Sequence, residues 1–313
     1  MLDRSDTMET RRALLEKYLR GELPRTPLPT DAAPHPPEPS VNTAPRREQV
    51  VTIQTGGAKR PFFYLHGDWT DKAFFCYPLA QALGSDQPFY VLEPYSFDGL
   101  PEPPSIEVMA AAHIESMRTI QPEGPYMLGG FCNGGLTAYE MARQLHAAGQ
   151  QTDLLVLMDS IPARCQRICA IIRGVGRLIH LAPEKQLNWF LRLEHAFRYL
   201  VDRKSDDFEH IKKTDPRIAS FFPPPESLRK EYPAVFYWAS STYHPGFFPG
   251  KVTLFWDEKE PVRRKWWNTW AKKRDQEVEE QIIPGSHTTC KTDQLDGMAK
   301  HLSASIQSVQ KQG

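Results

Sequence analysis

The stretch Gly130-Phe131-Cys132-Asn133-Gly134-Gly135 limits what this chain can fold into more than any other feature. It follows a short apolar run, Pro125-Tyr126-Met127-Leu128, and precedes a helical pattern from Leu136 to Ala148. A strand, a tight turn and a helix with a nucleophile at the apex is a compact device for lifting one side chain above a sheet. Its apex residue sits in strained backbone, so the positions two before and two after it must lack bulk. Gly130 and Gly134 occupy those positions around Cys132. The following helix then turns its N-terminal N–H groups and positive dipole end toward the sulfur. A buried cysteine in an ordinary glycine-rich turn would look the same in isolation, so the rest of the chain has to decide.

From Val50 onward, strand-like and helix-like segments alternate. The strand candidates are Val50–Gln54, Phe62–His66, Phe89–Glu93, Tyr126–Gly129, Leu154–Asp159, Val252–Trp256 and Gln281–Ile283. Helical patterns cover Phe75–Leu83, Ser105–Ile120, Leu136–Ala148, Trp266–Arg274 and Asp296–Val309. Continuous apolar strands alternating with helices predict an α/β fold, a mostly parallel sheet with helices on both faces. Residues 164 to 230 interrupt the alternation with helical pattern alone. An insertion there lies over the carboxyl ends of the strands, where ligands bind in open sheets, and reads as a helical lid. It carries 14 basic against 8 acidic side chains and many aromatics, among them Trp189, Phe190, Phe197 and Tyr199.

Ahead of this unit, residues 1–20 contain a helix candidate over 6–20. Asp6 and Glu9 form a capping box, and Leu14, Leu15, Tyr18 and Leu19 form an apolar stripe. Residues 21–50 contain eight prolines and predict an extended linker. The main domain then spans 51–313.

Lysine plus arginine equals aspartate plus glutamate, 38 each, so no global basic field points to nucleic acid. No apolar run approaches the ~18–20 residues that cross a membrane. The charged N-terminus is not a secretory leader. The five cysteines are widely spread without a C-x-x-C pair, and no histidines stand at ligand spacing, so no metal is expected. These features predict a cytoplasmic protein with reduced thiols.

A cysteine nucleophile needs a base, and imidazole is the usual one. Gln281-Ile282-Ile283-Pro284-Gly285-Ser286-His287 gives a strand, a turn and a histidine, making His287 the candidate base and later acid. His66, ending an early strand, is the competitor; His113, His146 and His195 fall in helical runs as surface or packing residues. The orienting carboxylate is Asp159 or Asp257, each closing an apolar strand. A carboxylate at the end of a fully apolar strand is costly unless paired, which favours Asp159, whereas Trp256-Asp257-Glu258-Lys259-Glu260 reads as a solvated charged turn. The oxyanion hole calls for two backbone N–H groups: Asn133, directly after the nucleophile, and Asp68, with Trp69 next, in the loop after Phe62–Leu65.

Taken together, Phe62-Phe63-Tyr64-Leu65-His66-Gly67, the stretch around Cys132 with Ala138-Tyr139-Glu140-Met141-Ala142, Leu155-Val156-Leu157-Met158-Asp159-Ser160 and Pro284-Gly285-Ser286-His287 resemble the thioesterase domains of nonribosomal peptide and polyketide synthases. The resemblance covers about residues 60 to 305. It implies an α/β-hydrolase fold with a helical lid, a substrate carried on the phosphopantetheine of an acyl or peptidyl carrier protein, and no cofactor of the enzyme's own. It also supports Asp159, since that family commonly places its aspartate at the end of this strand. Two positions depart from the family: Cys132 replaces the usual serine, and His66-Gly67-Asp68-Trp69 replaces a His-Pro loop followed by a glycine pair. A cysteine exchanges one thioester for another and keeps the acyl group activated, which favours acyl transfer to an amine or alcohol, or ring closure, over plain hydrolysis.

The expectation is therefore a stand-alone thioesterase-like acyltransferase. Two other readings stay open. One is a small-ester or lactone hydrolase similar to dienelactone hydrolase, which also carries Gly-x-Cys-x-Gly-Gly. The other is a non-catalytic carrier-binding scaffold.

Overall fold

The computed structural model describes residues 50–67, 74–160, 165–202, 220–258 and 261–311. The expected helix at 6–20, the linker and Asp68 with Trp69 lie outside those residues.

Seven strands form one sheet in the order β1-β3-β2-β4-β5-β6-β7. They are β1 (Val50–Gln54), β2 (Phe62–Leu65), β3 (Phe89–Leu92), β4 (Tyr126–Phe131), β5 (Thr152–Met158), β6 (Val252–Asp257) and β7 (Val278–Ile283). β1 runs antiparallel to β3, and every other pair is parallel. This is the α/β-hydrolase fold. Six aligned strands bring six carboxyl ends to one edge, and the site is built there.

Strand residues alternate between two cores, as the period of two requires. Phe63, Leu65, Leu128, Leu155, Leu157 and Leu254 pack on one face against α2 (Ile106–Arg118), α3 (Gly134–Ala147) and α8 (Pro261–Arg274). Phe62, Tyr64, Phe89, Met127, Val156 and Met158 pack on the other against α1 (Cys76–Ala82) and α9 (Leu295–Gln310). With both faces covered, the strands carry the unbroken apolar runs seen in the sequence.

Some boundaries differ from expectation for identifiable reasons. β7 begins at Val278, not Gln281: as an edge strand it exposes Glu279 and half-exposes Glu280, so only Val278 in its first half is apolar. α8 starts at Pro261, five residues before Trp266, because proline fits the first helical position. The expected turn at Asp257 is corrected outright: Asp257 is the last residue of β6 and is buried.

Between β5 and β6 lie α4 (Gln166–Leu178), α5 (Pro183–Asp202), the single turn α6 (Pro225–Leu228) and α7 (Tyr232–Ser240). They share a core of their own: Cys169, Ile172, Leu187, Phe190, Leu191, Leu228, Val235 and Trp238. α7 lies beyond the expected end of the insertion. It is buried on most of its surface, so its sequence shows no amphipathic period. Arg173 fixes α4 to α7, donating to Ser241 Oγ (2.6 Å) and the Trp238 carbonyl (3.0 Å) with its guanidinium 3.9 Å from the Trp238 ring centre. Arg229 and the Trp238 indole tie the insertion to the loop after β3, through the Leu100 and Pro101 carbonyls and the Glu102 carboxylate.

Candidate active site

Cys132 follows β4 directly, and its backbone turns into the left-handed region at φ 55°. Few non-glycine residues adopt this conformation, and its cost of about 1–3 kcal/mol has to be met by surrounding structure. The surroundings are specific. The Cys132 N–H donates to the Met158 carbonyl at 3.0 Å, carrying the β4–β5 pairing one step past the strand. A Cβ on Gly130 would stand 2.6 Å from the Gly134 carbonyl oxygen, and one on Gly134 would stand 2.4 Å from that of Leu65. The turn closes only because both are glycines.

Asp159 is held in the same manner. It follows β5, has φ 44°, and donates its N–H to the Phe255 carbonyl at 2.7 Å, extending the β5–β6 pairing. Its side chain is fully buried. His287 comes from the loop after β7, its Nδ1 bonded to Asp159 Oδ2. The other face of the imidazole function meets the thiol: His287 and Cys132 are hydrogen-bonded. With Nδ1 committed to the carboxylate, Nε2 is the nitrogen left for the sulfur.

Burial of the ring works against charging it. The hydrogen bonds from Asp159 and Cys132 outweigh that and raise the His287 pKa to about 9. Phe131, one residue before the cysteine, stacks against the imidazole with ring centroids 4.9 Å apart.

The structure thus brings Cys132, His287 and Asp159 together. Asp257, the alternative acid, is also buried but ends β6, one strand further over, whereas the imidazole Nδ1 is bonded to Asp159. His66 is buried with Nε2 3.5 Å from Glu93 Oε2. His113 and His195 are packing residues: burial lowers the His113 pKa to about 4, and His195 Nε2 lies 3.0 Å from the Ser220 carbonyl.

Asn133 is buried at the N-terminal end of α3, where the first helical N–H groups have no partner within the helix. Asp68 lies outside the described residues, but its neighbour Gly67 packs directly on the turn. A Cβ there would fall 2.0 Å from the Phe131 carbonyl oxygen and 3.1 Å from the Asn133 nitrogen, at φ +60°. Neither this contact nor the Phe131 stack announces itself in sequence; a glycine after a strand and an apolar residue before Cys132 serve many purposes. Among the described residues no cluster of His, Cys, Asp and Glu could hold a metal ion, and no helix is long and apolar enough to cross a membrane.

Comparison with known proteins gives one family. The model of the thioesterase domain family matches residues 72–306. Among curated proteins, the chain is similar to the inactive atromentin synthetase invA6 of Paxillus involutus, 26% identical over 252 residues, covering 77% of this chain and 26% of that protein. It is also similar to the polyketide synthase PksR of Bacillus subtilis, 38% identical over 114 residues, covering 36% of this chain and 4% of that protein. The chain therefore spans about a quarter or less of these relatives. Among solved structures, the NocB thioesterase domain in covalent complex with a fluorophosphonate nocardicin G analog superposes with a TM-score of 0.54 at 22% identity, covering 82% of this chain and 99% of that one. That likeness is one of fold.

Proposed function

The chain belongs to the thioesterase domain family, and from that premise we propose that it takes an acyl, peptidyl or polyketide chain from a carrier-protein phosphopantetheine thioester onto Cys132. It then releases the chain to an amine, an alcohol, an internal nucleophile or water. The observation that carries this reading is the hydrogen-bonded series Cys132, His287 and Asp159 at the carboxyl edge of the sheet.

Cys132 Sγ attacks the thioester carbonyl while its proton is held on His287 Nε2, whose raised pKa favours the imidazolium. The carbonyl π electrons move onto oxygen, where the N–H of Asn133 and, in this reading, that of Asp68 stabilise the charge. On collapse the carbon–sulfur bond to the pantetheine breaks, and His287 returns the proton to the departing thiolate. A second nucleophile then gives its proton to His287, attacks the acyl–Cys132 thioester, and the Cys132 thiol is restored. Asp159 holds the Nδ1–H tautomer and offsets the imidazolium charge throughout. The enzyme needs no cofactor of its own. Because loading exchanges one thioester for another, the acyl group stays activated, which favours transfer or cyclisation. The basic excess of the insertion suits an acidic carrier protein, and the insertion serves as the lid.

A second reading has one observation behind it, since the relative invA6 is described as inactive. A carrier-binding scaffold would keep the fold without turnover. Intact-protein mass after mixing with acyl thioesters of a pantetheine mimic separates the two. An acyl adduct on the wild type that is absent from Cys132→Ala is the expected result, and discharge by added amine, alcohol or water names the release step. No adduct and no turnover with any thioester, free or carrier-bound, overturns the enzyme reading.

A further inference from the structure

The helices of the insertion bury one side and leave a second apolar side open. On α4, Cys169 and Ile172 are buried, whereas Ile168, Ile171, Val175 and Leu178 face solvent, Ile171 at 64% and Leu178 at 79% exposure. Their spacing of three, four and three is the seam by which one helix receives another. α5 adds exposed Trp189, Leu193, Phe197 and Leu200, so the pair carries more apolar surface than its own core uses. Contiguous apolar surface of this kind marks an interaction site.

Where the domain begins identifies the occupant. Among the described strands β1 alone runs antiparallel, and its first residue, Val50, pairs with Leu92 at the carboxyl end of β3. Val50 therefore lies at the same edge of the sheet as Cys132 and the insertion. Strands lie about 4.8 Å apart, which puts β1 roughly 20 Å from β5, where the insertion starts. The proline-rich stretch from 21 to 49 reaches roughly 90 Å if extended at ~3.1 Å per residue. Beyond it stands segment 6–20, whose Leu14, Leu15, Tyr18 and Leu19 fall on one helical face. We propose that segment 6–20 docks along the Ile168–Ile171–Val175–Leu178 stripe of α4 in the same molecule, strapping the insertion from outside.

The test is hydrogen–deuterium exchange on the full chain, with sedimentation velocity over a range of concentrations. Wild type is compared with Leu15→Asp/Tyr18→Asp and with Ile171→Asp/Leu178→Asp, all at solvent-facing or segment positions and each checked for unchanged folded signal by circular dichroism. The expected result is reciprocal: amides of 10–20 and of α4 are protected in the wild type, and each double variant removes protection from the other partner, with a monomer throughout. Three outcomes overturn the proposal. Segment 10–20 exchanges as free chain in the wild type. Its protection survives Ile171→Asp/Leu178→Asp. Or the protein dimerises with concentration and the α4 variant abolishes that, which assigns the stripe to a second copy.

Discussion

The ring of Phe131 lies nearly flat on the imidazole of His287, centroids 4.9 Å and planes 23° apart. The residue that ends β4 thus packs flat against His287, and the residue after it is Cys132. Such ring pairs contribute about 0.5–1.5 kcal/mol beyond buried area. Phe131→Leu keeps the apolar volume and loses the flat support. It is expected to lower acylation of Cys132 roughly threefold to tenfold, with a small loss of stability. Single-turnover acylation across pH, beside a melting curve, checks this; an unchanged rate would mean that Asp159 alone orients the ring.

Asp159 and Asp257 are both buried carboxylates at strand ends, and Asp159 is bonded to His287 Nδ1. Asp159→Asn is therefore expected to reduce acylation about a thousandfold or more, by fixing the wrong tautomer. Asp257→Asn is expected to leave the rate within a few-fold. Parallel kinetics on the two variants decide it, and a reversed order would move the acid to β6.

The raised His287 pKa has a consequence for stability. Its ordinary value is near 6.5 and its folded value about 9. The folded chain thus binds this proton more tightly, so the contribution is complete below pH 6.5 and is lost as pH rises through 9. The melting temperature of the wild type should fall relative to His287→Gln across that window. If the difference between the two stays constant from pH 6 to 10, the proton linkage is wrong.

Gly67 touches the turn through backbone alone. Gly67→Ala places a methyl group 2.0 Å from the Phe131 carbonyl and forces a side chain into φ +60°. Destabilisation of at least ~2 kcal/mol is expected. Acylation should fall further than the fraction unfolded explains, because the clash displaces the elbow itself. Denaturant titration with active-site labelling of Cys132 measures both.

How much of this was readable beforehand follows from the physics of each element. The central strands β2 to β6 announce themselves because burial on both faces makes them largely apolar. β7 hides its first half because an edge strand needs apolar residues only at one end. α7, buried on most of its surface, has no period to detect. Cys132, His287 and Asp159 could be singled out because each stands just beyond an apolar strand, where turn chemistry is conspicuous. The partnership of Phe131 with His287, the seat of Gly67 and the burial of Asp257 depend on three-dimensional neighbours, and no local pattern encodes them.

Asp159 and His287 are 128 residues apart in the chain, and β6 lies between the strands that deliver them. The imidazole reaches the carboxylate only after β6 has been inserted beside β5 and β7 has closed on β6. A nascent or partly unfolded chain therefore displays an ordinary thiol, with no base beside it to sharpen it. If Cys132 is the acylated residue, as proposed, its reactivity toward thioesters reports completed assembly of the sheet.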